Sequence, residues 1–454
     1  MSVKQSLQAA ALRESLRYVR RNPEQNFARL IALIRPFARL PWHREIIQQA
    51  GEMWADPQNN WRRFTERALQ QLAPNVAEKI VMNFFLNACL SGVATARTVE
   101  KEHDCNVPWA ILMDPTSSCN LHCEGCWAGE YARGEHLSLE ELDGIIEQGK
   151  ELGVFFYLYS GGEPLLRAAD ILKLAEKHSD AVFCAFTNAT LVTPELAAQL
   201  SEVGNVALAI SVEGFDKVND FRRGEGTYAR VVRAMDLLRE VGAPFGFSTC
   251  YHAQNTEQVA SEEFVDAMVE KGCLFGWYFT YMPIGQHARP ELLVTPEQRQ
   301  LMYERVHEFR ATKPIFLLDF WNDGEYCNGC IAGGRHYLHI NAHGDVEPCA
   351  FIHYASTNIR EATLLEALKS PLFMQYRQHQ PFNKNPLRPC PLLDNPDALV
   401  EMVTQAGAYS TQRRDSEPVE VVAGKCREAA AKWAPVADAI WQERTAKQVK
   451  QAIQ

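Results

Sequence analysis

The chain has 454 residues, 46% hydrophobic and 22% charged, with Gly 26 and Pro 23. These are the proportions of a globular protein and exclude collagen-like, low-complexity and disordered chains. A net charge of −10, from 46 basic and 56 acidic residues, argues against a nucleic-acid partner held by phosphate contacts. With no apolar run near the ~18 residues of a membrane span and no signal-peptide pattern at the N-terminus, a cytoplasmic chain is expected.

Residues 1–104 read as an all-helical N-terminal region. Phe27, Leu30, Ile31 and Ile34 recur at helical spacing, as do Ile80, Val81, Phe84, Phe85 and Ala88 after the start signal Pro74-Asn75; Pro36, Pro41, Pro57 and Pro74 divide the region into short helices. The first fifty residues carry nine Lys or Arg against three acids, so this end is basic and the rest acidic. Arg13, Arg17, Arg20 and Arg21 lie at helical offsets with Leu12, Leu16 and Val19 between them. That pattern suits either docking on an acidic barrel, of this chain or of a second subunit, or peripheral contact with an anionic membrane at its cytoplasmic face. Docking is the favoured expectation, because the apolar stripe is modest.

From about residue 108 the pattern changes. Short apolar, β-branched or aromatic runs cover 109–113, 154–160, 182–187, 206–212, 245–251 and 274–281, each followed by a helix-like segment: 138–152, 168–178, 194–203, 228–241, 260–271 and 296–311. Six strand-helix units in series imply α/β architecture, a parallel sheet with right-handed crossovers curled into a partial (β/α)6 TIM-like barrel over 105–314. The regularity ends at 315–320. A small Cys-rich C-terminal domain over 315–395 follows, with a hairpin expected around Gly344, and a helical tail closes the chain over 396–454.

The chemistry is carried by cysteines. There are thirteen, an odd number without a secretion signal, which favours metal or catalytic thiolates over disulfides. Cys119, Cys123 and Cys126, with Trp127 next, stand just after the first barrel strand, on the end of a barrel where such folds place their sites. Three thiolates on one loop can hold three irons of a cubane and leave the fourth open. Gly161-Gly162-Glu163-Pro164 follows the second strand, Thr187-Asn188 closes the third, and Ser211 and Glu213 close the fourth. A second group comprises Cys327, Cys330, Cys349 and Cys390. Four such thiolates could close an iron-sulfur cubane or a structural zinc site.

The CxxxCxxC spacing with an aromatic after its last Cys, set in six strand-helix units, resembles the radical S-adenosylmethionine (radical SAM) superfamily. The resemblance implies a 4Fe-4S cluster on Cys119, Cys123 and Cys126, with S-adenosyl-L-methionine chelating the open iron. It also implies a cofactor site drawn from Trp127, Gly161, Gly162, Glu163, Pro164, Asn188, Ser211, Glu213 and Arg223, in which the Glu163 carboxylate would accept from the methionyl ammonium. Arg223 lies in the segment 220–228, read as the loop before the next helix. Cys330, thirteen residues, Gly344, four residues and Cys349 resemble the opening of the SPASM domain. Because its later dense cysteine block is missing, the truncated twitch form is implied: one auxiliary 4Fe-4S cluster on Cys330, Cys349 and Cys390, with Cys327 the expected fourth ligand and Cys426 the reserve.

The implied activity is reductive cleavage of S-adenosylmethionine to a 5'-deoxyadenosyl radical that takes hydrogen from a substrate carbon, with a low-potential donor such as flavodoxin or ferredoxin. The substrate expected is a peptide or protein, the alternative a lipid or small molecule at a membrane surface. A non-enzymatic electron carrier is disfavoured, since a carrier gains nothing from an open iron or from the GGEP loop. Cys89, Cys105, Cys184, Cys250 and Cys273 read as buried small hydrophobes, and His336, His339, His343 and His353 as residues on strand faces.

Overall fold

The computed structural model describes residues 3–35, 41–130, 134–285, 287–414 and 416–453. The strands are β1 (Ala110–Met113), β2 (Phe156–Tyr159), β3 (Val182–Thr187), β4 (Val206–Ser211), β5 (Phe245–Tyr251), β6 (Phe275–Thr280), β7 (Phe316–Asp319), β8 (Tyr337–Ile340) and β9 (Val346–Glu347). They form one curled sheet in the order β7-β6-β5-β4-β3-β2-β1-β8-β9. The first seven are parallel, the order that successive right-handed crossovers produce. The helices between them sit where periodicity puts them, Leu139–Glu151, Ala168–Lys177, Pro194–Val203, Thr227–Glu240, Glu262–Lys271 and Pro296–Thr312. Ser138 with Glu141, and Thr295 with Gln298, fix two of their starts as capping boxes.

Strand alternation divides the apolar residues in two. Ile111, Met113, Tyr157, Tyr159, Phe183 and Phe247 pack outward in the main core with the helices, whereas Ala110, Leu112, Phe156, Leu158, Cys184 and Ala209 belong to a second cluster on the inner face. A partial barrel results, with a side-chain-walled lumen.

Three details differ from expectation. The run at 315–320 continues the sheet as β7 rather than ending it, pairing Phe275 with Phe316 and Tyr278 with Asp319. The hairpin β8–β9 is not separate from the barrel either: β8 lies parallel to β1, from Ala110 opposite Tyr337 to Met113 opposite Ile340. The segment 220–228 is not all loop, because Asp216–Arg223 forms a helix that rigidly carries Arg222 and Arg223.

The N-terminal region is helical: Val3–Arg21, Pro23–Ile34, Pro41–Ala55, Asn60–Gln71 and a long helix over Pro74–His103. The expected break at Pro36, like the charge of Arg39, lies outside the described residues. Arg13 pairs with Glu78 at 3.0 Å and Arg20 donates to the Leu72 carbonyl at 3.0 Å, so the first helix docks on its own chain. Such half-exposed pairs orient a helix more than they stabilise it. The helix Pro74–His103 is, among the described residues, long and apolar enough by length and composition to cross a membrane. Here Asn83 donates to the Ser179 and Ala181 carbonyls and Asn87 to that of Asp180, which fastens it to the barrel beside β3.

Candidate active site

The loop after β1 is shaped by its neighbours before any ligand is considered. Gly162 N donates to Thr116 O at 3.0 Å and Glu163 N to Ser118 O at 2.8 Å, which joins the loop after β2 to the residues leading into Cys119. Gly161 has φ +100°, and a Cβ on it would stand 2.5 Å from Thr116 O; one on Gly162 would overlap the Ser118 carbonyl. The two glycines are therefore needed where one loop lies on the other. Gly162→Ala should displace the cysteine loop, at a cost of ~1–3 kcal/mol, and lower the iron retained after reconstitution. An unchanged iron content would contradict this packing role.

Cys119, Cys123 and Cys126 face one cavity of about 750 Å³, together with Trp127, Gly161, Gly162, Glu163, Asn188, Ser211 and Arg223. Burial raises the Cys119 thiol to about 11, with the nearby Glu163, Cys126 and Cys123 adding to the shift. Burial and the neighbouring Cys123 likewise raise Cys126. A bound metal would reverse this by taking the thiolates as ligands.

Glu163 is 1% exposed. Its carboxylate accepts from Thr187 Oγ1 at 2.6 Å, Asn188 N at 2.8 Å and Leu165 N at 3.0 Å. Three of a carboxylate's roughly four acceptor positions are thus spent on the loops after β2 and β3. Glu163 is first a brace, with one position left for an ammonium. Trp127 meets His339 and Phe351 edge-on, with centroids 5.8 and 5.7 Å away.

Pro164 and Glu213, both expected at the cofactor, do not line the cavity. Pro164 starts the short helix Pro164–Arg167. Glu213 is wholly buried and pairs with Arg222 Nη1 at 2.6 Å and with Arg223, while Oε2 accepts from Cys250 N at 2.9 Å. Burial would raise its carboxyl, but Arg223 and Arg222 hold it below the ordinary range. This ion triad braces the cysteine loop from behind, since Arg222 Nε donates to Glu124 O at 3.2 Å and Glu124 N to Arg222 O at 2.9 Å.

Two features went unread in the sequence. Cys250 lines the cavity; strand alternation, which puts it on the face of Ser248, was the available signal. His339, fully buried, stands 3.0 Å from Asp114 and 2.6 Å from Glu347. Burial alone would lower it, yet the two carboxylates raise it to about 10, so an imidazolium ties the end of β1 to the hairpin. No local pattern announces such a contact.

In the second cysteine group, burial raises the Cys330 thiol, and Cys390, Cys349 and Cys327 push it in the same direction. Tyr337 OH donates to Cys349 Sγ at 2.5 Å. Arg335 donates to the carbonyls of Cys327, Asn328 and Cys330, holding the turn that carries two of the thiols. Cys426, on the helix Val419–Ile453, is buried beside Cys390 alone of the four.

Comparison with known proteins matches two segments of the chain to family models. Residues 113–265 match the model of the Radical SAM superfamily, and residues 317–391 that of an iron-sulfur cluster-binding domain, SPASM. The chain is 26% identical over 292 residues to the AdoMet-dependent heme synthase of Methanosarcina barkeri, covering 58% of this chain and 82% of that protein. It is 28% identical over 270 residues to the mycofactocin maturase MftC of Mycolicibacterium smegmatis, covering 56% and 68%, and 27% identical over 296 residues to the PqqA peptide cyclase of Granulibacter bethesdensis, covering 60% and 76%. Among solved structures, Streptococcus suis SuiB bound to its precursor peptide SuiA shares the fold at TM-score 0.57 and 18% identity, over 74% of this chain and 80% of that one.

Proposed function

Because the chain belongs to the radical SAM superfamily and has its SPASM domain, an enzyme using S-adenosylmethionine, a 4Fe-4S cluster and auxiliary iron-sulfur chemistry, we propose that Cys119, Cys123 and Cys126 hold the reducing cluster and that the substrate carbon is met inside the barrel lumen. The observation that carries this is the meeting of three thiols, the GGE loop, Asn188, Ser211 and Trp127 on one cavity. When bound, the cluster and S-adenosylmethionine supply one-electron cleavage to a 5'-deoxyadenosyl radical that takes a hydrogen atom.

The protein's own work is placement. Glu163 fixes the loops after β2 and β3 against the cysteine loop and keeps one acceptor position for the methionyl ammonium. Arg222 and Arg223 put positive charge beside the thiolates, with Arg223 Nη1 4.0 Å from Cys123 Sγ, favouring a cluster whose ligands are anionic. The aromatic walls exclude water from the reacting carbon. Cys327, Cys330, Cys349 and Cys390 hold one auxiliary cluster, with Tyr337 OH donating to one of its sulfurs.

A peptide or protein substrate draws support from the relatives named as a maturase and a peptide cyclase. The alternative, an apolar small molecule or lipid, draws support from the composition of the lumen.

Anaerobic reconstitution, reduction with dithionite and chromatography for 5'-deoxyadenosine test the reading, and absence of that product would refute it. Joint replacement of Cys330, Cys349 and Cys390 by Ala should leave about four irons per protein molecule, on the first cluster. If iron is unchanged and zinc is lost instead, the second group is a zinc site.

A further inference from the structure

The lumen continues well past the cysteine loop. Below the cofactor end its wall includes Trp109, Phe156, Phe186, Trp277, Phe279 and Phe316. These rings pack on one another: Phe186 on Trp277 with centroids 4.8 Å apart, and Trp109 on Phe156 at 5.1 Å. The charged residues bordering the cavity lie at its two ends. Glu163, Arg222 and Arg223 are at the cofactor end, and Arg310 with Asp323 is at the other. Arg310 is already engaged, donating to Leu317 O at 2.9 Å and to Asp323 at 2.5 Å. Most of the remaining wall is hydrocarbon and aromatic, with Ser248, Thr280 and His336 among its few polar side chains.

The far end reaches the surface through exposed rings. Phe316 is 43% exposed and Tyr326 62%, and both line the cavity. Trp61, 40% exposed, lies 6.3 Å from Phe316. On the other side Phe84 packs on Trp109 and Phe156 inside and on Phe85 outside, and Phe85 is 55% exposed. The cavity therefore opens to the surface at Phe316 and Tyr326, beside Trp61 of the N-terminal helices.

From this wall we infer that the substrate enters as the acyl tail of a lipid, headgroup at the rim near Arg310, Asp323 and Tyr326, with an acyl carbon presented to the cofactor end. The inference rests on the radical reading above. A peptide would bring an N–H and a C=O per residue into a wall with few partners for them, and buried polar groups without partners are costly. A carboxylated macrocycle would need cations along the lumen, and Arg310 is already taken. An alkyl tail needs only an apolar wall. In the step itself an acyl C–H bond breaks homolytically, the hydrogen atom passes to the 5' carbon, and the unpaired electron stays on the acyl carbon.

The test is tryptophan fluorescence of the full reconstituted protein, titrated with a lysophosphatidylcholine brominated on its acyl tail and referenced to the unbrominated lipid. Trp109 and Trp277 lie on the wall, so saturable quenching is expected, and Trp277→Phe should remove a large part of it. Phe316→Lys, which puts a charge at the mouth, should weaken binding roughly tenfold or more; iron content and melting midpoint check that both variants fold. Quenching that does not saturate, that is the same in Phe316→Lys, or that a carboxylated porphyrin or a peptide relieves at lower concentration than the unbrominated lipid would overturn the inference. Formation of 5'-deoxyadenosine without lipid reports separately on the radical reading. A protein that cleaves the cofactor but shows no saturable quenching loses only the lipid assignment, and one that never cleaves it loses both.

Discussion

Joint replacement of Cys119, Cys123 and Cys126 by Ala is expected to abolish 5'-deoxyadenosine formation under dithionite and to take iron from about eight per protein molecule to about four. The three thiols share a cavity with Glu163 and Asn188, and of the second cysteine group Cys327 alone lines it. No reserve cysteine is at hand for the first cluster except Cys250, whose backbone N–H is tied to Glu213 and which lies next along the wall. Removing all three thiols also prevents a partly ligated cluster from persisting. If the triple variant still makes 5'-deoxyadenosine, the ligand assignment is wrong.

Glu213→Ala is expected to destabilise the fold by about 3–5 kcal/mol, the cost of leaving buried charge unpaired. Glu213 is 0% exposed, and Arg222, 6% exposed, would keep its charge with no carboxylate to meet it. Glu213→Gln should recover part of the loss, since an amide oxygen can still accept from both guanidinium groups. The pH dependence follows from the sign of the shift. The folded carboxyl titrates below its ordinary range, so its contribution is fully present above the unfolded value, about 4.3, and is lost as pH falls through the folded one. Because Arg222 also holds Glu124 in the cysteine loop, iron retention should fall together with the unfolding midpoint. A midpoint unchanged in Glu213→Ala would show that the triad is not structural.

What was legible in the sequence was what local pattern determines. Period-2 and period-3.6 runs gave six strands and six helices to within a few residues, because each unit buries its own face against the next. Cysteine spacing singled out both candidate ligand groups. The run at 315–320 reads as the end of the regular pattern because Phe316–Asp319 leads into the Cys-rich segment rather than into another long helix. The pairing of β8 with β1 joins Ala110 to Tyr337, and nothing local in the sequence signals it. Glu213 reads as a cofactor contact from its place at the end of β4. In the structure its carboxylate meets Arg222 and Arg223 of the helix Asp216–Arg223, whose amphipathic signal is short and dominated by charge. Gly161 and Gly162 read as cofactor-binding glycines, whereas their closest constraint is the cysteine loop itself.

The central claim is that S-adenosylmethionine binds directly to a cluster on Cys119, Cys123 and Cys126. The most direct measurement is electron paramagnetic resonance of the reduced protein lacking Cys330, Cys349 and Cys390, which leaves a single cluster in view. The cofactor would be labelled with nitrogen-15 at its amino group. Adding it should change the cluster signal and produce a coupling to the labelled nitrogen, and a signal unchanged by the cofactor would contradict the account.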